Sequence, residues 1–569
     1  MDTEQVAKLL DYELPSGTGN LAAGLNGDVK GLKSAPKAEA FVGTKGMNYD
    51  SNTLITIVNP KDTTKTVEVT VKQTSNILDQ QNKLLSKGTT GKELIEQFKD
   101  YAMSAYGDII NTYYDGNISK MFTSVGACYN ADDLVALLRI FKANPDVLYG
   151  SADLYDEVVP VFPRGQANNR VENILNFGAT LYGVQGRDSE YNHLYFGADG
   201  KLHDFDTTQA SYDLLDKLNA LYSEGLIQEN FWAGSINNLG YSRFFAKTAD
   251  NSSFGLLEYD YFATQSSAND IYNGIGTANL NRKTSESGFN FSQVSVTGIM
   301  PILSPLTYVS TESFSSTQAL DDKTGKTIVR YYEGNRSVKN TSWCIPSSSD
   351  NIETAIALMD FMFTKEGWEI QNFGPEGYWD YGTVLGEENT PIIKQEVLDH
   401  FANSGVDFWT YSRGFLGTTQ GIGHYRPISL DYQATNFYSH EGYNNVVTAC
   451  DLGVQINARA VASSEYSWHA SMPMAVFSTM DVAIANTYAG VTNFWAQNGK
   501  ATPDGTPNGW VAIVAEGKDY SGYVVPNANN GNSYTYSDVK SEIQTKNTSY
   551  LRKMGETLGL VPDEAYDKN

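Results

Sequence analysis

Cysteine is scarce in this chain. The three present, Cys128, Cys344 and Cys450, fit neither a CxxC pair nor a disulfide framework, so they point to no metal centre and fix no redox compartment. Long apolar runs are missing as well. No stretch approaches roughly 18 consecutive apolar residues, so no transmembrane helix is expected. The opening "MDTEQVAKLLDYELPSG" lacks the basic start and apolar core of a signal peptide. Either the protein is cytoplasmic, or its export signal has been removed and Met1 is an added start.

Positive charge is in short supply. The sequence has 41 basic against 66 acidic residues, a formal charge of −25, and no dense Lys/Arg run. A nucleic-acid partner needs a basic stripe to neutralise phosphates, and none is visible.

The usual catalytic signatures are absent too. Six histidines, at 193, 203, 400, 424, 440 and 469, form no HxxxH or HxH pair, so no metal site is expected from local spacing, although distant residues could still converge. There is no GxSxG elbow for a nucleophilic serine. "KGTTGKE" (87–93) has a GK pair without the P-loop spacing or the following Ser/Thr, and no cofactor is expected. "GADGKLHDFD" (197–206) lacks the spaced oxygen ligands and terminal Glu of a calcium loop and reads as a hairpin turn. With 66 acids, a pair of glycosidase carboxylates cannot be picked out by sequence, and glycoside hydrolysis stays open as an alternative.

What the chain does have is aromatic surface. It holds 36 Tyr, 25 Phe and 8 Trp, and the tyrosines and tryptophans lie mostly among Gly, Ser, Asn and Asp. That mixture suits polar ligands such as carbohydrate or peptide, with core filling as the plainer alternative. Hydrophobic residues make up 41% and charged residues 19%, a globular composition, and 569 residues exceed what one core usually serves.

Along the chain, residues 1 to about 50 show little periodicity and are expected to be irregular. "TLITIVNP" and "KTVEVTVKQ" alternate as a hairpin. From Gly91 to about Ala143 the pattern is helical, with Asn130 and Asp133 capping its last part. "EVVPVFPR" reads as a short buried strand, followed by "NRVENILNFGATLYGVQ", a helix that dissolves into a glycine and aromatic loop. "DFDTTQASYDLLDKLNALYSEGLI" is a helix with a capping box at Asp206 and Gln209, a stripe of Leu214, Leu218, Leu221 and Tyr222, and a stop at Gly225. "NSSFGLLEYDYF" looks like a strand reaching a loop. "GIMPILSPL" is extended and broken by proline. A further helix follows Asp350 and Glu353, read as another capping box, and is expected to pack a lobe through Ile352, Ile356 and Met359. Helices are also expected in "FSTMDVAIANTYAGVTNFWAQNG" and "SDVKSEIQTKNTSYLRKMGETLGL". Strand and helix alternate as in an α/β layer.

Two blocks, "DGKLHDFDTTQASYDLLDKLNALYSEGLIQENF" and "CIPSSSDNIETAIALMDFMFTKEGWEIQNFGPEGYWDYG", resemble the extracellular solute-binding proteins of ABC sugar importers, of the large LplA-like lipoprotein type. "SVTGIMPILSPL" and "YNADDLVALLRIFKANP" with "VPVFPR" are similar to that family more weakly, and residues 1–125 match its opening poorly. The resemblance implies a two-lobed periplasmic-binding-protein-like α/β fold, type II-like, with hinge strands and an interlobe cleft. One lobe is expected from 1–125 with about 338–376. The other is expected from 126–337 with about 377–569, including C-terminal helices. It further implies a monomer that breaks no bond, is lipid-anchored outside a Gram-positive cell, and hands an oligosaccharide to a membrane permease.

A sugar ring needs aromatic faces beside directed donors and acceptors. Three loops offer them: Tyr378, Trp379, Asp380 and Tyr381; then Trp409, Tyr411, Arg413, His424, Tyr425 and Arg426; and Glu258, Tyr259 and Asp260 at a strand end. Arg164 and Tyr182 are further candidates. A polysaccharide-active enzyme and a surface adhesion protein on the same fold are the alternatives.

Overall fold

The computed structural model describes residues 1, 3–13, 39–46, 53–62, 65–71, 76–124, 130–163, 171–182, 184, 194–196, 202–232, 254–259, 306–308, 329–331, 345–384, 387–394, 396–397, 400, 469–470, 494–495, 507, 509–519, 524–526 and 533–535. Within them the chain is α/β.

Among the first 50 residues, two described pieces are ordered where the pattern shows little periodicity. Helix α1 (Thr3–Leu10) buries Val6, Leu9 and Leu10, and a 3-10 turn at Glu39–Val42 buries Phe41. Eight residues are too few for a periodic signal to stand out. The expected hairpin forms as β1 (Thr53–Val58) and β2 (Thr66–Val71), antiparallel with Thr53 opposite Val71.

Helices α2 (Ile77–Leu85), α3 (Gly91–Tyr113) and α4 (Ile118–Thr123) follow. The GK pair that fails as a phosphate loop has a helical purpose. Thr90 caps α3 in a reciprocal box with Glu93, and Lys92 is buried in an ion pair with Asp146. Helix α5 (Ala131–Ala143) starts from the expected box, with Asn130 Oδ1 accepting from the Asp133 amide at 2.9 Å and Asp133 Oδ2 accepting from the Asn130 amide at 3.0 Å. The short α6 (Pro145–Tyr149) then leads to β3 (Val158–Pro163) and α7 (Glu172–Tyr182).

On either side of the DGK segment, β4 (Leu194–Phe196) and β5 (Leu202–Asp204) pair antiparallel. The helix behind it, α8 (Gln209–Ser223), begins later than the sequence pattern suggests. Thr208 is its N-cap, without a side-chain cap bond, because Phe205–Thr207 is a 3-10 turn in which the Asp206 carbonyl instead accepts from Tyr212 Oη. Leu214, Leu218 and Leu221 are buried as expected, and Gly225 ends the helix with φ at 71°. At Gly178, α7 and α8 approach so closely that a Cβ would stand 2.7 Å from Leu218 Cδ2.

Strand β6 (Phe254–Tyr259) pairs parallel to β3, and Ile227 bridges the other side of β3 at Val161, also parallel. β7 (Leu306–Tyr308) and β8 (Val329–Tyr331) form a small antiparallel pair.

One buried cluster spans Met1 to Val514. Phe98 and Tyr106 of α3 share it with Leu134, Leu137 and Phe141 of α5. Distant residues close it: Trp495 Nε1 donates to the Asp206 carbonyl at 3.0 Å, and Asn219 Nδ2 donates to the Val514 carbonyl at 2.8 Å.

Helices α9 (Ile352–Met362) and α10 (Lys365–Phe373) precede the antiparallel pair β9 (Trp379–Val384) and β10 (Glu387–Ile393). The Asp350/Glu353 box does not form, because Asn351 is the N-cap and makes no side-chain cap bond. Helix α9 also does not pack as expected. None of its residues is buried, and Ile356 and Phe363 are 48% and 54% exposed. Of the two C-terminal helical patterns, only Phe494 and Trp495 of the first are described, and the second lies outside the described residues. β11 (His469–Ala470) extends the β4–β5 hairpin, and α11 (Gly509–Glu516) packs on α8. β12 (Val524–Pro526) pairs with β13 (Ser533–Thr535).

Candidate functional site

Two places gather the candidate residues. The first is the C-terminal edge of the parallel strands. The β3–β6 register sets Phe162 beside Glu258 and Pro163 beside Tyr259, so two loops read separately in the sequence leave the sheet side by side. This is the edge where open α/β sheets place ligand contacts. The side chains of Glu258 and Tyr259 are not described, and Arg164 and Asp260, the next residue of each strand, lie outside the described residues.

Tyr182 is the last residue of α7. Its ring lies under Lys217, with Nζ 4.8 Å from the centroid. Its hydroxyl is enclosed without a hydrogen-bond partner. Burial, reinforced by the Asp132 and Glu224 carboxylates, holds its pKa far above the ordinary phenol value.

The second place is the turn from α10 into β9. Thr364 Oγ1 caps α10 by accepting from the Gly367 amide at 3.1 Å. The helix stops at Gly374, and a turn through Gly377 reverses the chain, with φ of 87° and 97° that only glycine adopts at low cost. Trp379 Nε1 closes the loop by donating to the Gly374 carbonyl at 3.1 Å.

Alternation along β9 then sorts the crowded aromatics by face. Trp379 and Tyr381 share the face towards α10, their centroids 5.1 Å apart in an edge-to-face contact. Trp379 also meets Phe373 at 6.5 Å, and Phe373 meets the buried Trp368 at 5.1 Å. Trp379 is half-buried, whereas Tyr381 is 49% exposed. Asp380 points to the other face, where its carboxylate is 3.5 Å from Lys394 Nζ. Tyr378 sits at the turn, half-buried.

Two residues that the sequence reading missed complete this surface. Tyr381 Oη donates to Glu369 Oε1 at 2.7 Å, and Lys365 Nζ lies 4.6 Å over the Tyr381 ring and 3.6 Å from Glu369 Oε1. Burial and the bond to Glu369 push the Tyr381 phenol upward. The signal was present as a Lys and a Glu four residues apart, hence on one face of α10.

Trp409, Tyr411, Arg413, His424, Tyr425 and Arg426 lie outside the described residues. Among the described residues no three metal-ligating side chains converge, and no helix is long and apolar enough to cross a membrane.

No family model matches the chain, and no curated protein matches it. Several solved structures are similar to it. The alginate-binding protein AlgQ2 without calcium ion has 16% identity and a TM-score of 0.39, over 78% of this chain and 68% of that chain. An HMO-binding, ABC-transporter-associated solute-binding protein from Bifidobacterium longum infantis has 12% identity and a TM-score of 0.34, over 77% and 70%. The S. pneumoniae substrate-binding protein FusA, as an EF-hand mutant in complex with fructo-nystose, has 12% identity and a TM-score of 0.32, over 78% and 70%. These TM-scores are low, and the site rests on its own geometry.

Proposed function

We propose that the chain is a non-enzymatic carbohydrate-binding protein of two α/β lobes joined by hinge strands. In this reading it is held outside the cell by a lipid anchor, acts as a monomer, and delivers an oligosaccharide or sugar derivative to an ABC permease. The observation that carries the reading is the Trp379–Tyr381 pair. Two aromatic rings share one face of β9, and the Tyr381 hydroxyl is held by Glu369. Sugar C–H faces lie on such rings, while the sugar hydroxyls need directed donors and acceptors around them. The edge beyond Pro163 and Tyr259 supplies a second set of contacts, with Arg164 and Asp260 next in the chain, as does the loop from Trp409 to Arg426. Closure of the lobes follows from the ligand's preference for the closed state.

The deciding experiment incubates the protein with a panel of neutral and uronic oligosaccharides, read by thermal shift and by chromatography. Unchanged sugar with a raised melting temperature supports a binder. Cleavage products point to a glycoside hydrolase and overturn the reading.

A further inference from the structure

The Tyr381 ring is the most exposed aromatic face of the β9 surface, and it is already covered. Its hydroxyl is tethered to Glu369 at 2.7 Å. The same carboxylate, one helical turn along α10, draws Lys365 to 3.6 Å, and this places the ammonium 4.6 Å over the ring. Glu369 thus fixes both the ring and the cation above it. Trp379 meets the ring edge-to-face.

The contact is poised to open. The Lys365 side chain is 42% exposed, so its ammonium exchanges this site for water at little cost, and an exposed cation–π contact is worth only a few-fold in an equilibrium constant. An apolar sugar face and the ammonium need the same ring surface, and the two cannot hold it together.

We propose that Lys365 is a displaceable cover on the Tyr381 stacking face, competing with the sugar ring and setting the affinity of the site. This rests on the carbohydrate reading given above. The ligand class is a pyranose with one C–H face free of axial hydroxyls, since only such a face replaces the ammonium across the whole ring. Glu369 is a positioning residue, and Lys365 lowers the affinity of every ligand that must displace it from the ring.

The test titrates the full chain, by tryptophan fluorescence, with a set of neutral and uronic trisaccharides, comparing wild type, Lys365→Ala and Lys365→Arg. Removing the cover should strengthen binding by about two- to five-fold. Arginine, whose planar guanidinium stacks more firmly on an aromatic face, should leave binding at or below the wild-type level. That order, alanine tighter than wild type and arginine no tighter, supports the proposal. Equal binding in wild type and Lys365→Ala, or weaker binding in Lys365→Ala, overturns the cover and leaves the carbohydrate reading standing. If none of the three proteins responds to any trisaccharide, the carbohydrate reading falls and the cover falls with it.

Discussion

Arg139 and Glu224, 85 residues apart in the chain, meet in a fully buried ion pair: Nε is 3.0 Å from Oε2 and Nη2 is 2.9 Å from Oε1. Around it, Arg139 also donates to the carbonyls of Phe41 and Thr44, and the Thr44 amide donates to Glu224 Oε1 at 2.6 Å. The pair therefore straps the segment around residues 39–46 onto α5 and the end of α8 through main-chain groups. Burial pushes the Glu224 carboxyl up, and the Arg139 guanidinium pulls it back.

Breaking that pair should cost more than the contacts alone suggest. Arg139→Met leaves Glu224 buried without its counter-charge, and the loss expected is about 3–5 kcal/mol. The urea midpoint measures it, and hydrogen exchange at the Thr44 amide should quicken in the variant. The double variant Arg139→Met/Glu224→Leu should recover much of the stability, because no lone charge remains.

Asp133 gives a pH dependence of known sign. Its carboxyl is fully enclosed at the start of α5, and desolvation raises it from 3.8 to about 7, against the opposing hydrogen bonds from Tyr106 and the Asn130 amide. A raised carboxyl pKa favours the folded state below the unfolded value, and that contribution is lost as pH rises through the folded value. Stability of the wild type relative to Asp133→Asn should therefore decline between about pH 4 and pH 7 and level off above. Denaturant titrations of both proteins across that range check it, and a flat difference would count against a buried, ionising Asp133.

Gly178 tests the packing of α7 on α8. With a Cβ only 2.7 Å from Leu218 Cδ2, Gly178→Val should overpack the contact and lower stability by about 1–3 kcal/mol. The pair Gly178→Val/Leu218→Ala should recover part of it, a coupling that a double-mutant cycle reads directly.

Legibility in the sequence followed locality. The α5 capping box, the β1–β2 hairpin, the DGK hairpin and the Gly225 stop depend on neighbours in the chain, and all four stand where their residues indicated. The misreadings have long-range causes. Helix α1 and the turn at Phe41 owe their order to the core and to the Arg139–Glu224 pair, partners distant in sequence. Helix α8 begins at Gln209 because Tyr212 and Trp495 both claim the Asp206 carbonyl. At the candidate site, the cluster "GYWDYG" was visible as composition. Its division by strand alternation, with Trp379 and Tyr381 on one face and Asp380 on the other, needed the strand. Tyr182, a further candidate in the sequence, ends α7 with its ring beneath Lys217.

The central claim is that the Trp379–Tyr381 surface holds a sugar ring. Calorimetric titration of an oligosaccharide that raises the melting temperature, into wild type, Trp379→Ala and Tyr381→Ala, tests it most directly. Each substitution should weaken binding on the order of tenfold while leaving the sugar chemically unchanged. Affinity identical to wild type in both variants would contradict it.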